Sequence, residues 1–491
     1  PRTFNVKHNK HSNLAGDGID AYGASINASS TTLAVTGATF NAADVGKTIG
    51  VEGAGASGAW LITTISAYVS ATSVTLVSAA STSISSIVST YLYCACYGTD
   101  DTAAQQALIL AAYRDAAGNY LGNAKFIYPD GMYIFADPLQ NNVSVPGYEA
   151  FDNAIDFNSQ IYIPGVPPDT NDPEPGNRTN GNVSAWRWSV TLEGETPPHW
   201  MQSAAIGNTL KVRTPHSGAR IRSLIQGSGT LPSVICAMGG GTTNGANGVN
   251  NNKFGPDLHV FKLSIEVTAN ASNATTMTGI NGVKAKTANY KSVTVFPHNL
   301  DLQDSTLPST ATFGLISAGS ADEPYNITEQ CHVGGFKYGY SSAEHGTLRD
   351  CHAWACETGL GLISTPYLFE FSGLDLSYCK YNIGFCSELA SLFGLSDTAL
   401  IHGTVAGELS HAAPYAGKWY ENVALVKDPT NLIYGDLVMS PEEAGVGYGH
   451  ARASKIGGEN LKTEVIGRFP LQIEHTGTTY TFAYLYEAQQ V

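Results

Sequence analysis

Two nine-residue stretches constrain this chain more than anything else in it. Cys331-His-Val-Gly-Gly-Phe-Lys-Tyr-Gly339 aligns without a gap on Cys351-His-Ala-Trp-Ala-Cys-Glu-Thr-Gly359, a period of 20 residues. Leu374-Asp-Leu-Ser-Tyr-Cys-Lys-Tyr-Asn382 follows 23 residues after the second. A period this short holds one turn of a coil, and each turn can bury its apolar side only against the next. The columns Cys331/Cys351/Leu374, Val333/Ala353/Leu376 and Phe336/Cys356/Cys379 are apolar. Side chains alternate along a strand, so these columns are expected to stack inside the coil. The fourth column, Gly339/Gly359/Asn382, is read as a turn position needing positive φ. The pattern is that of an all-β chain wound as a single-stranded parallel β-helix.

A second informative stretch runs from Tyr97 to Leu139. Gly98-Thr-Asp-Asp-Thr102 reads as a turn and helix N-cap, with Asp100 or Thr99 accepting from first-turn N–H groups and Asp101 near the positive end of the dipole. Ala103 to Ala112 follows with strong helix formers and a stripe of Ala104, Ala107, Leu108 and Ala111. Lys125–Tyr128 and Met132–Phe135 read as short strands about a Pro129-Asp-Gly131 turn. The helix is expected to plug one end of the coil, over about residues 100–117.

Gly16-Asp-Gly18, then Tyr97-Gly-Thr-Asp-Asp-Thr102, then the F-x-x-P-x-G-x-Y strand pair together resemble the start of the pectate-lyase-like superfamily of right-handed parallel β-helices. That superfamily includes pectin-degrading enzymes, glycoside hydrolases and phage tailspike depolymerases. In most relatives the two halves of the motif adjoin, whereas here about eighty residues separate them. The resemblance covers about 45 residues and bears on the fold more than on the reaction.

Charged residues make up only 14% of the 491, and there are 52 glycines, which suits short strands and tight turns rather than a helical bundle. The formal net charge of −15 disfavours nucleic acid as a partner. Eight cysteines show neither zinc spacing nor the density of a disulfide scaffold, and read as small buried hydrophobes. No apolar run reaches membrane-spanning length, and the chain opens on Pro1 rather than Met, as a processed secreted chain does.

Four regions follow. Residues 1–29 carry the first half-motif. Residues 30–90 read as an inserted β-module of short alternating strands (Thr31–Thr36, Thr48–Val51, Trp60–Thr63, Ser73–Val77), with a capping or docking role. Residues 91–414 form the β-helix, in which Ser189–Gly194, Leu258–Val267 and Tyr290–Phe296 continue the rungs. Residues 415–491 are Tyr- and Val-rich and read as a C-terminal β-module. By analogy with tailspikes this last region assembles a homotrimer, whose coils bury flat faces against one another.

Alternation places His332, His352 and Asp375 on the outward side of one column, one rung apart. Rungs about 4.8 Å apart let the three converge on one substrate atom or a metal ion. An imidazole pair transfers protons near neutral pH, with the carboxylate fixing one tautomer. The plain alternative is a solvated polar ladder. Lys337/Glu357/Lys380 alternates in sign and reads mainly as a charge ladder. Glycoside hydrolysis needs two carboxyls about 5–5.5 Å or 6.5–9.5 Å apart. Glu344 with Asp322 or Glu357 is the pair singled out for that role. Trp354, Tyr338 and Tyr340 lie in the same region as platforms for sugar rings. Glu193 and Glu195 with Trp200 form a weaker cluster at the other end.

No serine-hydrolase elbow, phosphate loop or zinc-protease motif is present. No cofactor is called for, although the resemblance leaves calcium open through loop carboxylates. The leading expectation is an extracellular or virion-surface enzyme that hydrolyses a polysaccharide with two carboxylates. Two others stand beside it: a polysaccharide lyase working by β-elimination through His332 or His352, and a non-catalytic tail, decoration or adhesin rod.

Overall fold

The computed structural model describes residues 1–85, 94–113, 115, 121–137, 140–141, 157–165, 188–198, 202–206, 209–213, 217–225, 230–237, 255–268, 277–283, 285–297, 300–301, 313–317, 326–342, 346–362, 369–376, 379, 381–385, 407–409, 436–439, 451–454, 462–467, 471–475, 478–482 and 485–489. Three sheets run the length of a coil. The first has eight parallel strands, from Arg2–Asn5 and Ala124–Tyr128 through Ser189–Gly194, Asp257–Phe261, Thr287–Lys291 and Asn326–Glu329 to Gly346–Arg349 and Phe369–Ser372. The second comprises Gly131–Phe135, Ala219–Ser223, Leu263–Val267, Thr294–Pro297, His332–Gly334 and His352–Trp354, also parallel. The third runs from Phe157–Ile163 to Tyr381–Phe385, with an antiparallel strand, Gln140–Asn141, at its edge. Successive rungs visit the three sheets in turn, which is the parallel β-helix expected from both the repeat and the resemblance.

The register aligns like with like. Phe4, Phe126, Leu192, Val260 and Tyr290 form one buried column of the first sheet. Tyr133, Ile221, Ile265, Val295, Val333 and Ala353 form one of the second. Each large aliphatic or aromatic side chain among them contributes roughly 1.5–3 kcal/mol by leaving water. The repeat columns fall where alternation puts them: Cys331, Cys351, Leu374, Val333, Ala353, Leu376, Phe336, Cys356 and Cys379 are all buried.

Two corners of the coil differ in their backbone. Between the first and second sheets five rungs turn on one residue in the left-handed region: Lys262 (φ 54°), Ser292 (53°), Gln330 (53°), Asp350 (50°) and Gly373 (62°). The glycine column lies elsewhere and serves another purpose. Gly339 pairs in register between Gly314 and Gly359 on the third sheet and has no positive φ. A Cβ on it would meet the Gly359 carbonyl at 2.7 Å, Val333 at 3.0 Å and Ala353 at 3.1 Å. Close approach of two sheets, not a turn, excludes a side chain there.

At the N-terminal end the two half-motifs meet. Strand Ile19–Ala21 pairs antiparallel with Ala95–Gly98. Asp17 accepts from the Thr99 N–H (2.8 Å) and hydroxyl (3.1 Å), and Asp101 accepts from the N–H groups of Ala15 (2.6 Å) and Gly16 (3.0 Å). The residues between them leave and return as a module in a seven-stranded sheet, all antiparallel, with its own apolar core. Its sheet extends past the expected 30–90 boundary at both ends, since Ile19–Ala21 and Ala95–Gly98 belong to it. Lys47 ties module to motif through Asp17 (2.8 Å) and Asp44 (2.9 Å). A helix spans Thr102–Tyr113, where one was expected over about residues 100–117, with Asp100 accepting from the Thr102 N–H at 3.0 Å. Its buried stripe is Thr102, Gln105, Leu108, Ile109 and Ala112, rotated from the expected one, and Ala107 faces solvent. Gln105 is drawn inward by the Tyr128 hydroxyl, which donates to its Oε1 at 2.7 Å.

Toward the C-terminus, Gly407–Leu409 and Asp436–Met439 flank Ala451–Ser454, Lys462–Gly467 pairs with Leu485–Gln489, and Leu471–His475 forms a hairpin with Thr478–Phe482, all antiparallel. Among the described residues no helix is long and apolar enough to cross a membrane.

Candidate functional site

The outward side of the second sheet carries one polar column along the coil. Arg220, Ser264, Thr294, His332 and His352 pair in register, and a parallel bridge adds Asp375. Along its first part the column is covered. Trp60 and Cys96 of the module pack with Met132, Ile134 and Leu224, and beneath them lies a closed ionic group. Arg220 bonds Asp20 (3.0 Å) and Glu266 (3.5 Å), and Arg222 bonds both acids as well. Burial opposes the charge on Arg222, but Asp20 and Glu266 outweigh it and hold the guanidinium above its usual value. Two cations thus face two anions. The Thr294 hydroxyl donates to Ser264 at 2.8 Å, and both residues are buried.

The column emerges at His332. The rings of His332 and His352 stack at 4.7 Å with 22° between planes, one rung apart. His352 Nδ1 lies 3.2 Å from Asp375 Oδ2, where an Nδ1–H donates to the carboxylate and orients the ring with Nε2 away from Asp375. Asp375 is fixed in turn, because its N–H donates to the Cys351 carbonyl (3.0 Å) and its carbonyl accepts from Ala353 (2.8 Å). Burial, reinforced by His352 and opposed by Asp375, pushes His332 down to about 4, so its ring is neutral at physiological pH. Trp354, the next outward residue after His352, stands edge-on to it at 6.1 Å.

A groove of about 480 Å³ opens on His332 and His352. It runs across three rungs, lined by Ser292 and Thr294, Gln330 and His332, and Asp350 and His352. Its far wall is Pro197 and Pro198, from the segment that leaves the coil after Gly194. That segment is anchored where it starts: the Glu195 N–H donates to the Tyr128 carbonyl (3.0 Å), and the Thr196 hydroxyl donates to Asp130 (2.7 Å). Among the described residues that line the groove there is no lysine or arginine.

The structure therefore brings together His332, His352, Asp375 and Trp354. It separates them from the tyrosines. Tyr338 and Tyr340, expected on the groove, are buried at 5% and 2% exposure. Tyr338 stacks on Phe313 at 5.0 Å, and the Tyr340 hydroxyl donates to the carbonyls of Cys331 (2.7 Å) and His352 (2.9 Å). Both serve the core, since a phenol that reaches backbone carbonyls is satisfied inside the coil. The metal option for the His332, His352 and Asp375 column is also not built: the imidazoles stack rather than converge. No group of three such ligands among the described residues is arranged to hold a metal ion. Glu357 is partly exposed beyond the other corner, where its N–H donates to the Phe336 carbonyl (2.9 Å). Asp322 and Glu344 lie outside the described residues, as do Lys380 and Trp200. Glu193 is engaged by Lys125 and Lys262 on the first sheet. Asp350 was missed. It had a signal, since it directly precedes the column Cys351 belongs to, aligned with Gln330 and Gly373.

No protein-family model matches the chain, and comparison with curated proteins finds no match. Among solved structures the chain is similar to the A-module of mannuronan C-5 epimerase AlgE6 from Azotobacter vinelandii, at 13% identity and a TM-score of 0.25. The match spans 58% of this chain and 57% of that one. A likeness at this distance carries no argument, and the fold rests on the chain's own strands: three stacked parallel sheets make it a parallel β-helix.

Proposed function

We propose that this protein hydrolyses a neutral polysaccharide bound in the groove beside His332, His352 and Asp375. The observation that carries the reading is the His352–Asp375 pair at the point where the polar column opens into the groove. A carboxylate held by an imidazole is a positioned candidate proton acceptor. Hydroxyl, amide and carboxylate groups around it suit the hydroxyls of a sugar chain, and Trp354 offers an aromatic edge beside them. β-Elimination is less well supported. It requires a cation to neutralise the uronate carboxylate, and the described lining offers none.

The same reading carries with it a location outside the cell or on a virion surface and assembly as a homotrimer, which sedimentation analysis tests. Purified protein incubated with neutral and acidic polysaccharides, read for reducing ends and for ultraviolet absorbance together, tests the reaction. Reducing ends from a neutral polymer without new absorbance are expected. Absorbance rising with chain cleavage identifies a lyase instead, and binding without either signal leaves a non-catalytic rod.

A further inference from the structure

We infer that the groove holds the end of a glycan chain and not its middle, because a hairpin-bearing insertion closes it toward the N-terminal end of the coil. This rests on the groove being a glycan site. The insertion leaves the first sheet after Gly194 and rejoins the coil at Ala219, where a strand of the second sheet begins. Its two ends lie side by side at the corner. A Cβ on Gly218 (φ 86°) would stand 3.2 Å from the Thr196 carbonyl oxygen and 3.3 Å from Pro198 Cα. Between those ends Gln202–Ile206 and Thr209–Arg213 form an antiparallel hairpin. Its second strand also pairs with Leu300–Asp301, Val212 opposite Leu300 and Lys211 opposite Asp301.

That pairing fixes the course of the hairpin. Leu300 lies just past Thr294–Pro297, the second-sheet strand two rungs beyond Ala219–Ser223. The hairpin is therefore rooted at one edge of the second sheet and paired beyond the opposite edge. The six residues from Val212 to Gly218 reach at most about 20 Å. A five-residue strand is about 17 Å long, so only a path across the outward side of the sheet is short enough. Burial agrees. Ser264, Glu266, Thr294 and Phe296, all on that side, are at most 3% exposed, whereas His332, His352 and Trp354 further on are partly open.

The groove begins where this cover stops. Ser292 and Thr294 are its first rung, and Pro197 and Pro198, at the root of the hairpin, stand beyond them. Its lining on the coil is only two columns wide, Ser292/Gln330/Asp350 and Thr294/His332/His352, or about 7 Å. Gly218, beside Pro198, heads the same corner column four rungs before Asp350, a distance of about 19 Å. The long axis of the groove thus follows the coil, and a sugar chain lying in it meets the prolines and the crossing hairpin at one end. The ligand is a terminal stretch of a neutral polysaccharide, and cleavage proceeds from a chain end.

The test titrates the full chain carrying Asp375→Asn, which keeps cleavage slow, with a size-graded series of one unbranched neutral polysaccharide in a calorimeter. One occupied site per glycan chain is expected at every length. With the unaltered protein, short products should appear in the earliest samples while viscosity is kept. Sites that multiply with chain length, or viscosity that collapses while few reducing ends have formed, would overturn the inference. Replacing residues 202–213 by a short Gly-Ser link should let long chains pass and raise the sites per chain several-fold. If that variant does not fold, the titration and the viscosity record decide alone. Binding at chain ends without cleavage keeps this inference and removes only the hydrolysis, whereas binding of no glycan in the series removes the glycan site and this inference with it.

Discussion

One column of the second sheet has two halves with different fates. In the covered half, Arg220 is closed under the N-terminal module together with Arg222 and Glu266 of the neighbouring column and Asp20 of the module, and each cation faces these acids. In the open half, His332, His352 and Asp375 continue the Arg220 column a few rungs on, and His332 and His352 line a groove. The backbone is the same in both, so the sheet face alone does not make a site. Coverage decides. Under the module a charge that lacked a partner would be very costly, and the sequence there supplies partners. Beyond the module a titratable group can stay accessible and exchange protons.

The largest effect that would break this comparison belongs to the covered half. Glu266→Ala leaves Arg222 and Arg220 with Asp20 alone, and denaturant unfolding should show a loss of about 3–5 kcal/mol. On the open half His352→Asn should change stability by only about 0.5 kcal/mol, the scale of surface substitutions. Equal losses at the two sites would erase the distinction. Next, Asp375→Asn should reduce cleavage by about 10²–10⁴-fold with an unaltered unfolding curve, which steady-state kinetics on the best substrate measures. A smaller structural effect is expected at the corner between the halves' two sheets. Gly373→Ala forces a Cβ into the left-handed region and against Asp350, costing about 1 kcal/mol or more by thermal unfolding and lowering activity with it.

A pH dependence sharpens the comparison in a different way. His332 sits near 4 when folded and at about 6.5 when unfolded. Between those values the unfolded chain binds more protons, so the His332 contribution makes stability fall as pH drops from about 6.5 to 4 and level off below. His332→Asn should flatten that part of the curve. Asp101 acts in the opposite sense, because burial pushes it up to about 6 and its contribution is lost as pH rises from about 4 to 6. The comparison is therefore between variants at each pH, not along one curve. A variant whose slope matches the unaltered protein would contradict a neutral, half-buried His332.

The legible part of this molecule was what a strict period reveals. Columns through Cys331, Val333 and Phe336 could be read because alternation and a 20-residue repeat fix each side chain's direction, and the same logic placed His332, His352 and Asp375 together. The meeting of Gly16-Asp-Gly18 with the Tyr97 segment was legible through the resemblance. Tyr338 and Tyr340 were misplaced because a tyrosine satisfied by backbone carbonyls looks in sequence like one displayed to solvent. Gly339 and Gly359 were given a conformational reason where the cause is contact between two sheets, which no single strand records. Asp350 was hidden by its place at a corner, where an acid reads as an ordinary turn residue. The ionic group under the module joins Asp20 to Arg220 across 200 residues, and nothing local announces it.

The central claim is that a glycan meets the open half of the column. Imidazole NMR tests it directly, with His332→Asn and His352→Asn variants assigning the signals and a neutral oligosaccharide as titrant. His259, on the outward side of the first sheet, serves as the internal control. The account predicts that the His332 and His352 signals shift with saturation while His259 stays fixed. Movement of His259 with the other two unchanged would put the ligand on another face and contradict it.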